Sequence, residues 1–275
     1  KECDMKRREL RRMLSEAIGD YIEAQASKPV TDDLTIFSSD LQEYAVTNDY
    51  FRRWYCLITS GNNIGEIRKI KDSDRDGTLV LYGTGLIPDI EHQATFEVHR
   101  YSPEAKNNAL NQAGQQLYPN LIRNTFEIIE TNNADNEYLL PDWANNGMIT
   151  WVHQVDDEDN EVCPVWKWKT VRKNDGVADG VYLQLPSPNL GAIKVSGYTS
   201  LETAHDDNAE ISIEMPHVEL LIAYSAHLLF EREAGSPSSY DREFVQSMVN
   251  YWWGKAEYLK GKVKMPKPQG QTRFT

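Results

Sequence analysis

Apolar residues recur every three to four positions in four segments of the chain, a spacing that predicts amphipathic helices. The segments lie within residues 1–29, 102–119 and 216–263, and a Gly/Ser/Pro-rich break at residues 235–239 divides the last into two helices. Ser102 and Pro103 have the residue types that favour a helix start. On the last helix we expect a packing stripe formed by Val245, Met248, Trp252, Ala256, Leu259 and Val263.

Between the predicted helices the pattern changes to short runs rich in β-branched and aromatic residues, separated by turns of Gly, Asn and Asp. Such runs occur throughout residues 30–101 and 120–215. Short strands at this spacing are typical of a small barrel or sandwich. Residues 264–275 are rich in Lys, Pro, Gln and Gly and have no packing pattern, so we expect an extended arm there.

These segments together predict an α+β fold. The N-terminal, central and C-terminal helices (residues 1–29, 102–119 and 216–263) are expected to assemble into one helical bundle. Two antiparallel β modules, residues 30–101 and 120–215, are expected to project from the bundle as small barrels or sandwiches.

The charge is unevenly distributed along the 275 residues, which carry a formal net charge of −13. Residues 1–12 have net charge +3 and residues 254–275 have +5, which leaves −21 for residues 13–253. An acidic body argues against a protein that grips duplex DNA across its main face, because phosphate binding needs a basic surface. The basic ends are either solvated tails or local docking points for an acidic partner or nucleic acid.

Motifs of enzyme chemistry are absent. The three cysteines form no Cys-x-x-Cys pair, the six histidines have no metal-ligand spacing, and there is no nucleophile elbow or phosphate-binding glycine loop. No apolar run is long enough to span a bilayer. We therefore expect no catalytic residues, no cofactor, no metal and no enzymatic activity, although a catalytic pair could hide among the 42 Asp and Glu residues.

The run Asp72-Ser73-Asp74-Arg75-Asp76-Gly77 has the carboxylate spacing of a calcium loop. Such a loop needs an acidic residue eleven positions after its first Asp, where this chain has Gly83. The run also lies between two predicted strands. A polar hairpin turn is therefore the favoured interpretation of Asp72, Asp74 and Asp76.

Two tryptophans, Trp166 and Trp168, alternate in the sequence Val165-Trp166-Lys167-Trp168-Lys169. In a strand, alternate residues lie on the same face, so both rings are expected to share one surface. Packing in a core or interface is favoured over stacking on a sugar ring.

Several short segments of the sequence resemble segments of tailed-bacteriophage structural proteins. One is the predicted strand–turn–strand from Phe51 to Ile70, and another is Ala94 to Arg100 followed by Pro103 and its helix. Tyr138-Leu139-Leu140-Pro141 is similar too. The C-terminal helix pair with its Lys/Pro tail resembles the helical part of head-to-tail adaptor (neck or connector) proteins.

This resemblance implies a subunit of a ring, of about twelve copies, between the portal protein and the tail or nozzle proteins. Such a virion protein is assembled in the host cytoplasm, crosses no membrane, and lets DNA pass without specific binding. The resemblance also implies a C-terminal docking arm that contains Lys260, Lys262, Lys264, Lys267 and Arg273. The alternative is a tail-associated or tail-tip module that contacts another tail protein or a host glycan.

Overall fold

The computed structural model describes residues 2–30, 34–88, 93–132, 134–145, 147–173, 180–187, 191–236 and 242–263. These residues form four α-helices, namely α1 (Arg7–Ile18), α2 (Pro103–Gln116), α3 (Met215–Ala234) and α4 (Arg242–Lys262). They also form fifteen strands: β1 (Glu2–Lys6), β2 (Tyr21–Gln25), β3 (Thr35–Phe37), β4 (Tyr55–Ile58), β5 (Ile67–Ser73), β6 (Thr78–Leu81), β7 (Thr95–His99), β8 (Arg123–Glu130), β9 (Glu137–Leu139), β10 (Met148–Val155), β11 (Glu161–Pro164), β12 (Lys169–Lys173), β13 (Gly180–Gln184), β14 (Ala192–Thr199) and β15 (Glu210–Glu214).

The helices pack around α3, whose residues are apolar on most sides. Residues from all four helices share one hydrophobic core, and α4 contributes Val245, Trp252 and Ala256 as predicted. The same core includes Ile211 and Ile213 of β15, which pairs with β1 in a two-stranded antiparallel sheet. At the start of α2 the Ser102 hydroxyl accepts the backbone N–H of Ala105 at 3.1 Å, which confirms the predicted cap.

Six strands form the largest sheet, in the order β2-β7-β4-β5-β6-β3, and every neighbouring pair is antiparallel. Alternate residues of these strands, such as Ile22 and Ala24 on β2 and Phe96 and Val98 on β7, enter one apolar core. The backbone N–H of Ser27 donates to the carbonyl of Phe37 at 2.8 Å. This bond joins the segments that continue the two edge strands, so the sheet curls around its core.

The remaining strands form two more antiparallel sheets, with orders β11-β10-β14-β8 and β12-β13-β9. Both contribute to a third hydrophobic core, in which Val152 of β10 is the register partner of Val195 on β14 and Leu183 of β13 is fully buried. Strand β14 shows strict alternation of buried and half-buried residues, as expected for a sheet with one wet face.

The predicted fold class is wrong. The described residues form a mixed α/β protein in which four antiparallel sheets, one of them six-stranded, accompany four helices, rather than a helical bundle carrying two small β modules. The helical core is not built from helices alone, because the β1–β15 ribbon completes it. The second β region also divides into two sheets. The domain boundaries stated above stay a prediction.

The expected helix within residues 1–29 is shorter than predicted. Helix α1 ends at Ile18 because Gly19 adopts a left-handed conformation with φ 71° and donates its N–H back to the carbonyl of Glu16. The chain then enters β2, in which Ile22 and Ala24 are buried while Glu23 and Gln25 are exposed. The spacing of apolar residues therefore changes from the helical period to the strand period of two at β2, well before Pro29.

The calcium-like run forms the predicted hairpin turn between β5 and β6. The N–H of Asp74 donates to the carbonyl of Thr78 at 2.9 Å, and the side chain of Asp76 accepts the N–H of Thr78 at 2.9 Å. Gly77 closes the turn with φ 91°, a conformation that favours glycine. The spacing of the carboxylates is thus explained by turn geometry.

Candidate docking surface

Helix α4 carries aromatic side chains on the face that turns away from the core. Phe244, Tyr251 and Tyr258 are 45%, 55% and 62% exposed and recur every seven residues, which places them on one side of the helix. We call these three residues the aromatic face. Large exposed apolar groups in a regular row are typical of protein–protein contacts rather than of ordinary surface.

Small residues form a second row beside the aromatic face, at Ser247, Gly254 and Gly261. A Cβ atom added at Gly254 or Gly261 would meet no atom within 4 Å, so these glycines are not required by packing within the described chain. Glycine inside a helix costs about 1 kcal/mol relative to alanine. Because Gly254 and Gly261 have no side chains, another backbone can approach α4 closely along this row.

The structure describes two of the five basic residues predicted for a docking arm. Lys260 lies on the last turn of α4, donates to Glu257 at 2.9 Å, and sits 5.8 Å from the ring centre of Trp253. Lys262 lies 4.3 Å from the ring centre of Tyr258 and so borders the aromatic face. Lys264, Lys267 and Arg273 fall outside the described residues.

A second protruding surface is the acidic hairpin, which we define as β10, β11 and the turn between them. Residues 156–159 of the turn are all acidic and all exposed, and every residue of β11 is exposed. Strand β11 is an edge strand of its sheet. Exposed edges invite pairing with other chains, and the acidic turn is a feature that limits unspecific pairing.

Trp166 does not lie where the alternation predicts. Both tryptophans lie outside the strands, because β11 ends at Pro164 and β12 begins at Lys169, and Lys167 between them has a left-handed backbone with φ 66°. Trp166 is therefore 64% exposed beside the acidic hairpin, whereas Trp168 packs against the third core. The prediction that Trp166 and Trp168 share one surface is therefore wrong. An exposed tryptophan next to a left-handed residue marks a further candidate contact site.

A cleft of about 490 Å³ separates α1 from the six-stranded sheet. Its lining contains both positively and negatively charged side chains. Two of its three guanidinium groups are already paired, because Arg11 contacts Asp207 at 2.6 Å and Arg12 contacts Glu16 at 2.9 Å. The cleft therefore presents no excess of positive charge to an anion. Its charged and aromatic lining residues are Arg8, Glu9, Arg11, Arg12, Tyr21, Glu23, Glu97 and Asp207.

Beneath the cleft lies a buried polar network centred on Lys106 of α2. The Lys106 ammonium is fully buried and donates to Ser15 at 2.7 Å, to Asp20 at 2.8 Å and to Nδ1 of His99 at 3.0 Å. Nε2 of His99 contacts Glu97 at 2.9 Å. The network thus ties α2 to the end of α1 and to β7. Only Glu97 of this network lines the cleft.

Burial shifts the pKa values of three groups in this network, Lys106, Asp20 and His99. It lowers the pKa of the Lys106 ammonium from 10.5 to about 8 and raises the pKa of the Asp20 carboxyl. Burial also lowers the pKa of His99, although the hydrogen bond to Glu97 opposes it. The hydrogen bonds agree with a neutral His99 that accepts at Nδ1 and donates from Nε2.

We predict that the unfolding free energy falls as the pH drops from 7 to 5, in part because His99 must be charged. The folded pKa of His99 lies below its ordinary value of 6.5, so the unfolded chain binds more protons between these values. One such group changes the free energy by at most about 1.4 kcal/mol per pH unit. Asp20 acts oppositely, since its raised pKa adds stability as its folded carboxyl becomes protonated.

Urea unfolding of the wild-type chain and the His99→Gln variant at pH 7, 6 and 5 isolates the His99 contribution. We expect a shallower pH slope for the variant, whatever its absolute stability. Identical slopes would show that His99 is not kept neutral by the fold.

The buried groups and the metal-ligating residue types give no further candidate site. In the described parts of the chain, no group of three or more His, Cys, Asp or Glu side chains is placed to hold a metal ion. None of the helices there is long and apolar enough to cross a membrane. No protein-family model matches the chain, and no curated protein matches it.

Proposed function

We propose that the chain is a non-enzymatic structural protein of a tailed-bacteriophage virion, a subunit of the head-to-tail adaptor ring that joins the portal to the tail. The observation that carries this proposal is the exposed aromatic face of α4 beside its row of small residues. Aromatic residues are enriched at the centres of protein interfaces, and small residues let two backbones approach closely.

The charge distribution supports a role around a DNA conduit. Residues 13–253 carry a net charge of −21, so the body of the protein repels a DNA duplex. A channel lined by such a surface lets DNA slide without binding it, because phosphate contacts dominate the affinity of proteins for DNA. In this proposal the subunits surround the DNA and form part of the channel through which it leaves the head.

The basic end of the chain is proposed to contact the portal protein. Lys262 borders the aromatic face at the end of α4, Lys260 lies on the same last turn beside Trp253, and residues 264–275 add Lys264, Lys267 and Arg273. Deleting residues 264–275 should abolish binding to the portal while the melting temperature stays within about 2 °C of wild type, since the sequence of this segment has no packing pattern.

The measurement is co-sedimentation with assembled portal rings, with circular dichroism to monitor folding. The matched control is Lys28→Ala together with Lys71→Ala, which removes two exposed basic groups from the six-stranded sheet region and should leave portal binding unchanged. Unchanged binding by the truncated chain would contradict the proposed role of the arm.

A tail-associated binding module is the second candidate, and the exposure of Trp166 favours it. An indole ring that is 64% exposed, four residues after the similarly exposed Val162, can stack on a sugar or pack against another tail protein. The two candidates differ in position, because the adaptor sits at the head–tail junction and a binding module sits farther along the tail.

A further inference from the structure

We infer that the acidic hairpin of one subunit docks on the aromatic face of α4 in the next subunit, so that copies of this chain associate head to tail. This inference deepens the proposed function and rests on it, because a ring subunit must present two different surfaces that fit each other. The occupant of the α4 face is therefore a second copy of the same chain.

The acidic hairpin offers a fixed cluster of negative charge. The Asp156 carboxylate accepts the backbone N–H groups of Glu158 at 3.0 Å and Asn160 at 2.9 Å, which holds the turn in one conformation. Asp157, Glu158 and Asp159 are exposed around it. The turn thus presents carboxylates on a rigid tip, so little conformational entropy is lost when it binds.

The hairpin also has an apolar side. Residue pairing between β10 and β11 passes from Gln154–Cys163 to Val155–Glu161, so Val162 is the extra residue of a bulge. Its side chain is 62% exposed, and Trp166 four residues later is 64% exposed. Acidic and large apolar groups therefore lie within a few residues of each other.

Helix α4 carries the complementary groups. Lys255 and Lys262 lie within its last three turns, where Glu257 is the single acidic residue. Lys255 and Lys262 are two turns apart, about 10 Å along the axis, and flank the same side as the aromatic face. The α4 surface is thus basic and aromatic, and the hairpin surface is acidic and apolar. Such charge complementarity selects partners and their orientation.

The two surfaces are different and stand on separate hydrophobic cores, since α4 packs in the helical core and β10 in the third core. Contacts between unlike surfaces of identical chains are heterologous, and they close into a ring when the rotation between subunits permits. The geometry of the pair therefore agrees with a cyclic assembly.

Charge reversal of each surface tests this inference on the full-length chain. The hairpin variant carries Asp157→Lys and Asp159→Lys, and the helix variant carries Lys255→Glu and Lys262→Glu. Sedimentation velocity in 50 mM NaCl should show self-association of the wild-type chain and at least tenfold weaker association of each variant. All four substitutions in one chain should restore association, and so should an equimolar mixture of the two variants.

The matched control is Lys69→Glu with Lys71→Glu, which makes the same change in net charge as the helix variant on exposed positions of β5 and should leave association unchanged. A wild-type chain that stays monomeric would overturn the inference, as would reversals without effect or a four-fold variant that does not recover. Stronger association of the helix variant would also overturn it, because the α4 lysines would then oppose association instead of attracting the acidic hairpin.

The failure of this inference is distinguishable from failure of the proposed function. Self-association is measured on the isolated chain, whereas the adaptor role depends on the position of the chain in the virion. Rings that form regardless of both reversals would reject the hairpin contact and leave the adaptor role standing. If the charge swap restores association but no copy of the chain is found at the head–tail junction, the hairpin contact is supported and the adaptor role is rejected.

Discussion

Replacing Lys106 by alanine should lower the unfolding free energy by about 3–5 kcal/mol, because it leaves a buried charge without its partner. The Asp20 carboxylate is only 3% exposed, and the Lys106 ammonium contacts it at 2.8 Å. The substitution also removes the donor to Ser15 and to Nδ1 of His99. Urea unfolding at pH 7 measures the loss.

Two variants separate the buried charge from other causes. Arg12→Ala removes a cation from the exposed pair with Glu16, whose side chains are about half exposed, and should cost at most about 1 kcal/mol. Lys106→Met combined with Asp20→Asn removes both buried charges and should recover much of the stability lost in Lys106→Ala. A loss below about 1 kcal/mol for Lys106→Ala would mean that water reaches this network.

Replacing Gly77 by alanine should destabilise the fold by about 3 kcal/mol or more, through backbone strain together with a collision. Gly77 has φ 91°, and an added Cβ would overlap the carbonyl oxygen of Ser38, which starts the short 3₁₀ helix Ser39–Glu43. Since the N–H of Ser38 donates to the carbonyl of Gly77 at 3.1 Å, the two backbones cannot separate without losing that bond.

Gly65 provides the matched control for this effect. It has a similar φ of 86°, but an added Cβ would meet no atom within 4 Å. Gly65→Ala should therefore show the conformational strain alone, about 1–2 kcal/mol. Thermal unfolding of both variants gives the comparison, and equal losses would show that the contact between the turn and the 3₁₀ helix is not tight in solution.

Local patterns in the sequence predicted individual elements better than they predicted the fold class. The start of α2 at Ser102-Pro103 and the apolar stripe of α4 depend on neighbouring residues, and both were predicted. The pairing of β1 with β15 joins residues about 200 positions apart, which no local period reports. That ribbon and the six-stranded sheet are what separate this mixed α/β protein from a bundle with projecting modules.

Two features of the structure, the aromatic face of α4 and the buried Lys106, have signals in the sequence that apolar periodicity alone does not show. Tyr251 and Tyr258 repeat at seven residues from Phe244, but the prediction for α4 considered only its buried side. Lys106 lies on the apolar stripe of α2, three positions before Ala109, and a lysine in such a stripe indicates a buried partner. The identity of that partner, Asp20, depends on tertiary contacts and could not be predicted.

The position of the chain on intact virus particles tests the central claim most directly. Particles from the source of the chain can be labelled with an antibody or an affinity tag coupled to gold and imaged by electron microscopy. The adaptor proposal predicts label at the junction between head and tail. Label at the distal tail, or particles without any label, would contradict it.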